Sequence, residues 1–311
     1  MPEAENYPRT LAALEKRFAD EESCLEYLFA LRWPEGFLCP HCASTQAWKM
    51  VRGLWLCVGC RRQVSVLAGT VFQDTHLPMI TWFRAMWNIT SQKNGMSALG
   101  LQRVLGLGSY RTAWLMLHKL RQAMVRPGRE KLCGEVEVDE TYWGAAESGG
   151  VTGRKTLNKA LIIVAAEADG RGLGRIRMNL IPDFNRETLH HFIGKSIEIG
   201  STVCTDGLNS YRELRGYHHD RKVQNIQHGG QALLPRVHLV ISLLKRWMLG
   251  TLQESASHKH LDDYLNEFVF RFNRRKSASR GKLFYRLAQQ AVNVDPMTYA
   301  MLTKSQDVVA G

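Results

Sequence analysis

Apolar positions recur at helical spacing from Thr81 to about Met124: Trp82, Met86 and Ile89, then Leu99, Val104 and Leu105, then Trp114, Leu115, Leu117 and Leu120. Ser97 stands where it can cap a helix ending near Leu105, and Gly106-Leu107-Gly108-Ser109 makes a short turn. A longer helix is predicted from Tyr110 to about Val125. Past Gly134 the period shortens to two, with Val136 and Val138 on one face of a strand and Glu135, Glu137 and Asp139 on the other. Ala160 to Glu167 reads as a buried second strand, Arg175 to Ile181 as a third and Asn185 to Ile197 as a capped amphipathic helix. Ser201 to Thr205 is a short buried strand that delivers Asp206 at its C-terminal end. A further helix starts near Pro235, a first-turn proline, and runs Val237, Val240, Ile241, Leu244 and Met248 along one apolar stripe.

Three strands in hairpin order, a crossover helix and a fourth strand are the start of a ribonuclease-H-like mixed sheet, so the expected fold class is α/β. In that arrangement the first and fourth strands lie side by side and Asp139 meets Asp206. Facing carboxylates repel each other unless cations sit between them, so the pair predicts a Mg²⁺ or Mn²⁺ site. Each acid alone has another reading: an acidic strand face also suits a solvated sheet edge, and Asp-Gly is a common turn pair. Glu137 shares the face of Asp139 and is a candidate auxiliary ligand; Glu140 lies on the opposite face. His238 and Lys245 are seven residues apart on the helix from Pro235, two turns or about 10.5 Å along its axis. Together they can offer an imidazole and an ammonium to one phosphate region. The positive end of the helix dipole disfavours imidazolium, which keeps His238 in the neutral form that binds metal.

The cysteines bring in a second kind of chemistry. Cys39 and Cys42 form one CxxC knuckle, Cys57 and Cys60 another, with 14 residues between them. That spacing suits four thiolates around one tetrahedral zinc, closed to substrate and therefore structural. The chain between the knuckles, with Arg52-Gly53 at its centre, reads as a β-hairpin. Cys24, Cys133 and Cys204 lie outside the spacing and read as ordinary buried thiols.

At 311 residues the chain has room for two or three domains, and a formal charge of +12 attracts polyanions, nucleic acid first among them. The longest apolar run, Ala160 to Ala166, is far too short for a bilayer, and no secretory leader is legible, so a cytoplasmic, nucleoid-associated protein without a membrane partner is expected. Arg111, Lys119 and Arg121 fall on the polar side of the helix from Tyr110, which fits either a DNA-reading helix-turn-helix or an αα-hairpin with a solvated basic face. From Lys245 to Arg286 there are ten Lys/Arg against four Asp/Glu, so Arg246, Arg271, Arg274 and Arg275 are candidates for a DNA track.

The paired knuckles, Val136-Glu137-Val138-Asp139-Glu140-Thr141-Tyr142, Thr205-Asp206-Gly207, Ser242-Leu243-Leu244-Lys245-Arg246 and the run Phe268 to Arg275 together resemble bacterial insertion-sequence transposases of the DDE type, over about Phe18 to Leu287. The resemblance implies that Asp139 and Asp206 are the first two catalytic acids and Lys245 the basic residue after the third. The third acid is where this sequence departs, since His238 stands where the common pattern has Glu. It also implies two-metal phosphoryl transfer on double-stranded DNA, both element terminal repeats and target, by a homodimer or higher oligomer. The expected domains are a helical segment (1–32), a zinc ribbon (33–75), a helix-turn-helix segment (76–126), a ribonuclease-H-like core (131–290) and a tail (291–311). Two rival readings are a DNA-binding regulator that has lost catalysis and a nuclease or resolvase on the same fold.

Overall fold

The computed structural model describes residues 6–126, 128–144, 159–222, 233–252 and 258–303. The chain forms two compact units, one made of Met1–Arg126 with Lys276–Gly311, the other of Pro127–Arg275.

The first unit opens with α1 (Leu11–Arg17) and α2 (Glu21–Arg32), capped by Thr10 and Asp20, whose side chains accept the amides of Ala13 and Ser23. A three-stranded antiparallel ribbon follows: β1 (Ala47–Lys49), β2 (Leu54–Cys57) and β3 (Gln63–Ser65). The hairpin expected between the knuckles is β1–β2, and β3 adds a strand that the sequence pattern did not show. Gly53 makes the turn with φ +68°, a left-handed conformation that favours glycine, and a Cβ there would meet Leu25 Cδ1 at 2.6 Å and make that side chain shift. The ribbon is too small to have a core of its own and stacks Trp55 on Phe29 of α2, ring centroids 4.2 Å apart.

Three helices come next: α3 (Met79–Ser91), α4 (Ala98–Leu105) and α5 (Tyr110–Gln122). Ser97 caps α4 by accepting the Gly100 amide at 3.1 Å, and Gly106 ends it at φ +61°. The helical outline is as the periodicity predicts, but two of the basic residues assigned to the polar side of α5 are not on it. Lys119 is 8% exposed and Arg121 2% exposed. Their side chains donate to the backbone carbonyls of Gln73 and Met96. The two flank the buried face of Ala113, Met116, Leu117 and Leu120, and α5 is enclosed around most of its circumference. Its exposed basic residue is Arg111, whose guanidinium lies 3.6 Å over the Tyr299 ring.

The second unit is a five-stranded mixed sheet in the order β6-β5-β4-β7-β8. Its strands are β4 (Glu135–Trp143), β5 (Ala160–Asp169), β6 (Gly172–Ile181), β7 (Thr202–Thr205) and β8 (His218–Arg221). β4, β5 and β6 are antiparallel neighbours; α6 (Arg186–Ser196) crosses over, and β7 returns parallel to β4 with β8 parallel beyond it. This is the strand order that the ribonuclease-H-like expectation requires. Val136 and Val138 enter the core on the face shared with Leu189, Phe192 and Ile193 of α6. The opposite face carries Ile162, Val164 and Met178 against Val237, Val240 and Leu244 of α7 (Pro235–Trp247) and Leu265 and Phe268 of α8 (Leu261–Asn273). Since successive strand residues alternate in direction, filling the α6 side with the two valines turns the acids of β4 toward α7.

After α8 the chain rejoins the first unit with α9 (Arg280–Ala291) and α10 (Tyr299–Thr303). Phe284 of α9 sits among Phe18 and Phe83, and Gly281 passes so close to Pro8 that any Cβ would collide with its carbonyl. The sequence pattern carries the expected core on to residue 290, whereas compactness divides the chain after Arg275. The end of the expected tail, 304–311, lies outside the described residues. Among the described residues no helix is long and apolar enough to cross a membrane.

Candidate active site and metal centres

The parallel pairing of β4 with β7 sets Glu137 level with Cys204, and Asp206, just past the end of β7, lies near enough for its charge to act on Asp139. Asp206 leaves the strand in a turn, where its Oδ1 accepts the Leu208 amide at 2.9 Å. The turn reading of Asp206 is therefore realised, and its side chain remains a candidate for the site. Asp139 Oδ1 accepts the Glu140 amide at 2.9 Å, and Oδ2 lies 3.0 Å from Nε2 of His238 in the first turns of α7. The Asp139 side chain is 18% exposed, that of His238 50%. Burial pushes the Asp139 carboxyl up, the Glu140 amide and His238 pull it back, and the negative field of Asp206 adds to the rise.

The acids of β4 divide into two groups. Glu135 and Glu137 pair with the Arg236 guanidinium at 2.7 and 3.0 Å. Asp139 and Asp206 form no ion pair with lysine or arginine among the described residues. Negative charge concentrated beside a half-buried carboxylate and left without a lysine or arginine partner is what a divalent cation neutralises; two carboxylates suit Mg²⁺ or Mn²⁺, and the imidazole favours Mn²⁺ of the two. The residues present thus fit the ions. The donor atoms of Asp139, Asp206 and His238 do not all fall within 4.8 Å of one another, so they do not close around a single ion as the cysteines do. Asp139 is the member that touches one partner and senses the other.

Glu137 does not have the role expected of an auxiliary ligand. Its Oε2 accepts the backbone amides of Arg236 at 2.7 Å and Val237 at 2.9 Å, and its Oε1 faces Arg236, so both oxygens are engaged. Sequence reasoning missed Arg236, although a cation in the first turn of a helix, where the dipole disfavours it, signals an acidic partner. It also missed Tyr211, which is fully buried and donates its hydroxyl to Glu140 on the far side of β4. Burial, the Glu140 carboxylate and then those of Asp139 and Asp206 push the Tyr211 hydroxyl well above its ordinary range.

Lys245 is half-buried on α7, two turns beyond His238, and Arg246 beside it is exposed; neither forms an ion pair among the described residues. The other arginines of the expected DNA track are turned to structural use. Arg271 pairs at 3.2 Å with the fully buried Glu267. Arg274 stacks 3.9 Å over Phe270 and donates to its carbonyl. Arg275 stacks on Phe272 and donates to the carbonyls of Leu173 and Gly174.

In the ribbon, the sulfurs of Cys39, Cys42, Cys57 and Cys60 all lie within 4.8 Å of one another, with Cys39 to Cys60 at 3.7 Å and Cys42 to Cys57 at 3.5 Å. A tetrahedral zinc with Zn–S bonds of about 2.3 Å needs sulfur–sulfur edges of about 3.8 Å, so the cage fits zinc. A disulfide needs about 2.05 Å. Of the remaining thiols Cys24 and Cys204 are buried as expected, while Cys133 is exposed beside Glu167 and Arg175.

Comparison with known proteins adds that residues 131–273 match the ISXO2-like transposase domain and residues 19–63 the transposase zinc-ribbon domain. The chain belongs to the insertion-sequence transposases. This transposase is also similar to an uncharacterized protein in transposable element ISH50 of Halobacterium salinarum, 24% identical over 277 residues, which cover 82% of this chain and 92% of that protein. The transposase match ends two residues before Arg275, where the second compact unit also ends, and takes in Asp139, Asp206, His238 and Lys245. The zinc-ribbon match takes in all four cysteines.

Proposed function

We propose that this transposase binds the terminal repeats of its element as double-stranded DNA and performs divalent-metal-dependent strand cleavage and transfer, with Asp139, Asp206 and His238 holding the ions. The observation that carries the reading is the contact of Asp139 with His238 at 3.0 Å beside Asp206, with no lysine or arginine to neutralise the two acids among the described residues. Mg²⁺ or Mn²⁺ held here supplies activation of an attacking water or DNA 3′-hydroxyl and stabilisation of the leaving oxygen. Asp139, which touches His238 and feels the charge of Asp206, would hold the ions together with these two residues. Lys245 binds a phosphate near the reacting bond. Arg246 and Arg111, both exposed, contact the DNA backbone. The enclosed Lys119, Arg121 and Arg271, and the carbonyl-bound Arg274 and Arg275, have no part in that contact. Two copies acting on paired element ends complete the proposal.

The test is to incubate purified protein with labelled element-end DNA, with and without Mg²⁺ or Mn²⁺, and to add a second duplex as target. Cleavage followed by joining to the second duplex is the expected result. Metal-independent binding without cleavage would leave a regulator, and cleavage without joining a nuclease; either outcome overturns the proposal.

A further inference from the structure

Helix α7 begins without a cap of its own. Leu234 precedes Pro235 and has no side-chain group to accept the first-turn amides, which in a buried helix end must find acceptors. Glu137 supplies the acceptor from a strand 99 residues away. The side chain is 4% exposed, and one oxygen takes the amides of both Arg236 and Val237. The other oxygen takes the Arg236 guanidinium, which also reaches Glu135 and the carbonyl of Gly172. A carboxylate at this end of a helix gains from the dipole as well as from its hydrogen bonds.

This anchor lies immediately beside the candidate site. His238 follows Val237, and Asp139 lies two residues from Glu137 on the same face of β4. The strand and the helix therefore meet at two successive points: Glu137 with the amides of 236 and 237, then Asp139 with the His238 imidazole. Fixing the first sets the height and rotation of α7 at the second. We infer that Glu137 is a positioning residue, which touches neither metal nor DNA but holds α7 where His238 reaches Asp139. The inference rests on the reading of Asp139, Asp206 and His238 as the groups that hold the ions.

The test uses the full-length, zinc-loaded chain and needs no turnover. Amide hydrogen exchange at Arg236 and Val237, thermal stability, and Mn²⁺ affinity by electron paramagnetic resonance are measured for the wild type, Glu137→Gln, His238→Ala and the double variant. Loss of a hydrogen bond to a charged group shifts a local equilibrium by about tenfold or more. Glu137→Gln should therefore speed exchange at the two amides about tenfold and weaken Mn²⁺ binding severalfold. In the His238→Ala background it should weaken Mn²⁺ binding no further, because a residue that acts through His238 has nothing left to act on. Equal weakening in both backgrounds, or unchanged exchange at the two amides, overturns the positioning role while leaving the site assignment standing. Unchanged Mn²⁺ affinity in His238→Ala alone removes the site assignment and the inference with it. Should Glu137→Gln fail to fold, Arg236→Gln keeps both amide bonds and removes the guanidinium bridge. Its smaller loss of Mn²⁺ affinity must likewise vanish without His238.

Discussion

The four cysteine sulfurs come from two knuckles within residues 39–60, joined by the β1–β2 hairpin, and gather within 4.8 Å of one another. Asp139, Asp206 and His238 come from a strand, a turn and a helix spread over 99 residues; Asp139 reaches His238 and feels Asp206 only because a sheet register and a helix start have first been fixed. In the ribbon there is little else to hold the chain together, so the ligands and their ion are the core. In the second unit the sheet and its two apolar faces exist independently of any ion, and the acids are a burden on them. The cysteine cage makes its fold, whereas the proposed second centre would be made by its fold.

Removing the ions should therefore have opposite consequences at the two centres. Structural zinc sites of this ligand type contribute about 10 to 16 kcal/mol of apparent binding free energy that is also folding free energy. A strong chelator, or Cys57→Ser, should unfold 39–65, seen as loss of amide protection in β1–β3, while the thermal transition of the second unit stays where it was. A ribbon that keeps its protection in excess chelator would break the comparison where the expected effect is greatest. At the other centre Asp139→Asn or Asp206→Asn should lower the cleavage rate by about a thousandfold or more, roughly 4 kcal/mol in the barrier. Thermal stability should be unchanged or slightly raised, since each variant removes a repulsive charge without opening a cavity. Full cleavage by either variant, or a fall in melting temperature as large as that from zinc loss, would show that the acids belong to the fold rather than to the chemistry.

The scaffold that makes the second centre has a charged fastening of its own. Burial alone would push the Glu167 carboxyl up, but the two-pronged grip of Arg175 and the amides of Cys133 and Arg175 outweigh it and hold it at about 2. A folded-state value below the ordinary one stabilises the protein when the group is ionised. The contribution is fully present above about pH 5 and is lost as the pH falls toward 2, a total on the order of 3 kcal/mol. Urea titrations of the second unit at pH 6 and pH 3 should show the drop, and Glu167→Gln should be less stable at pH 6 with a flatter profile. An equally steep profile in Glu167→Gln would assign the pH dependence to other groups.

How much of each centre could be read in advance follows from the same distinction. The cysteine cage was legible because its information is local: two knuckles at a set spacing specify four ligands whatever surrounds them. The sheet order was legible because Val136 and Val138, the run from Ala160 and the short strand before Asp206 each carry their own period, and the sequence of strand, strand, strand, helix, strand leaves few ways to pair them. β8 was not, because His218-His219-Asp220-Arg221 is a polar edge strand whose place comes from backbone pairing with β7 and not from an apolar pattern. Glu137 shares a face with Asp139, and only the position of the α7 terminus reveals that its oxygens are already engaged. Lys119 and Arg121 flank the buried face of α5, and spacing does not tell that their charged ends turn inward to carbonyls of Gln73 and Met96.

The smallest expected effect concerns which ion the proposed second centre prefers, and it follows from His238 being the nitrogen donor among the three groups proposed to hold the ions. Mg²⁺ strongly favours oxygen ligands and dehydrates reluctantly, whereas Mn²⁺ accepts imidazole nitrogen more readily. A site made of two carboxylates and His238 should therefore give a cleavage rate in Mn²⁺ at least equal to that in Mg²⁺ at the same concentration, by a factor of about one to ten. Replacing the imidazole by a carboxylate, His238→Glu, restores an all-oxygen donor set and a further negative charge, so the ratio of the two rates should move toward Mg²⁺. Because both rates are measured on the same protein preparation, any loss of folding or DNA binding in the variant cancels from the ratio. A wild-type rate markedly higher in Mg²⁺, or a ratio that His238→Glu leaves untouched, would mean that the imidazole does not reach the ion. The 3.0 Å contact with Asp139 would then be a hydrogen bond and nothing more.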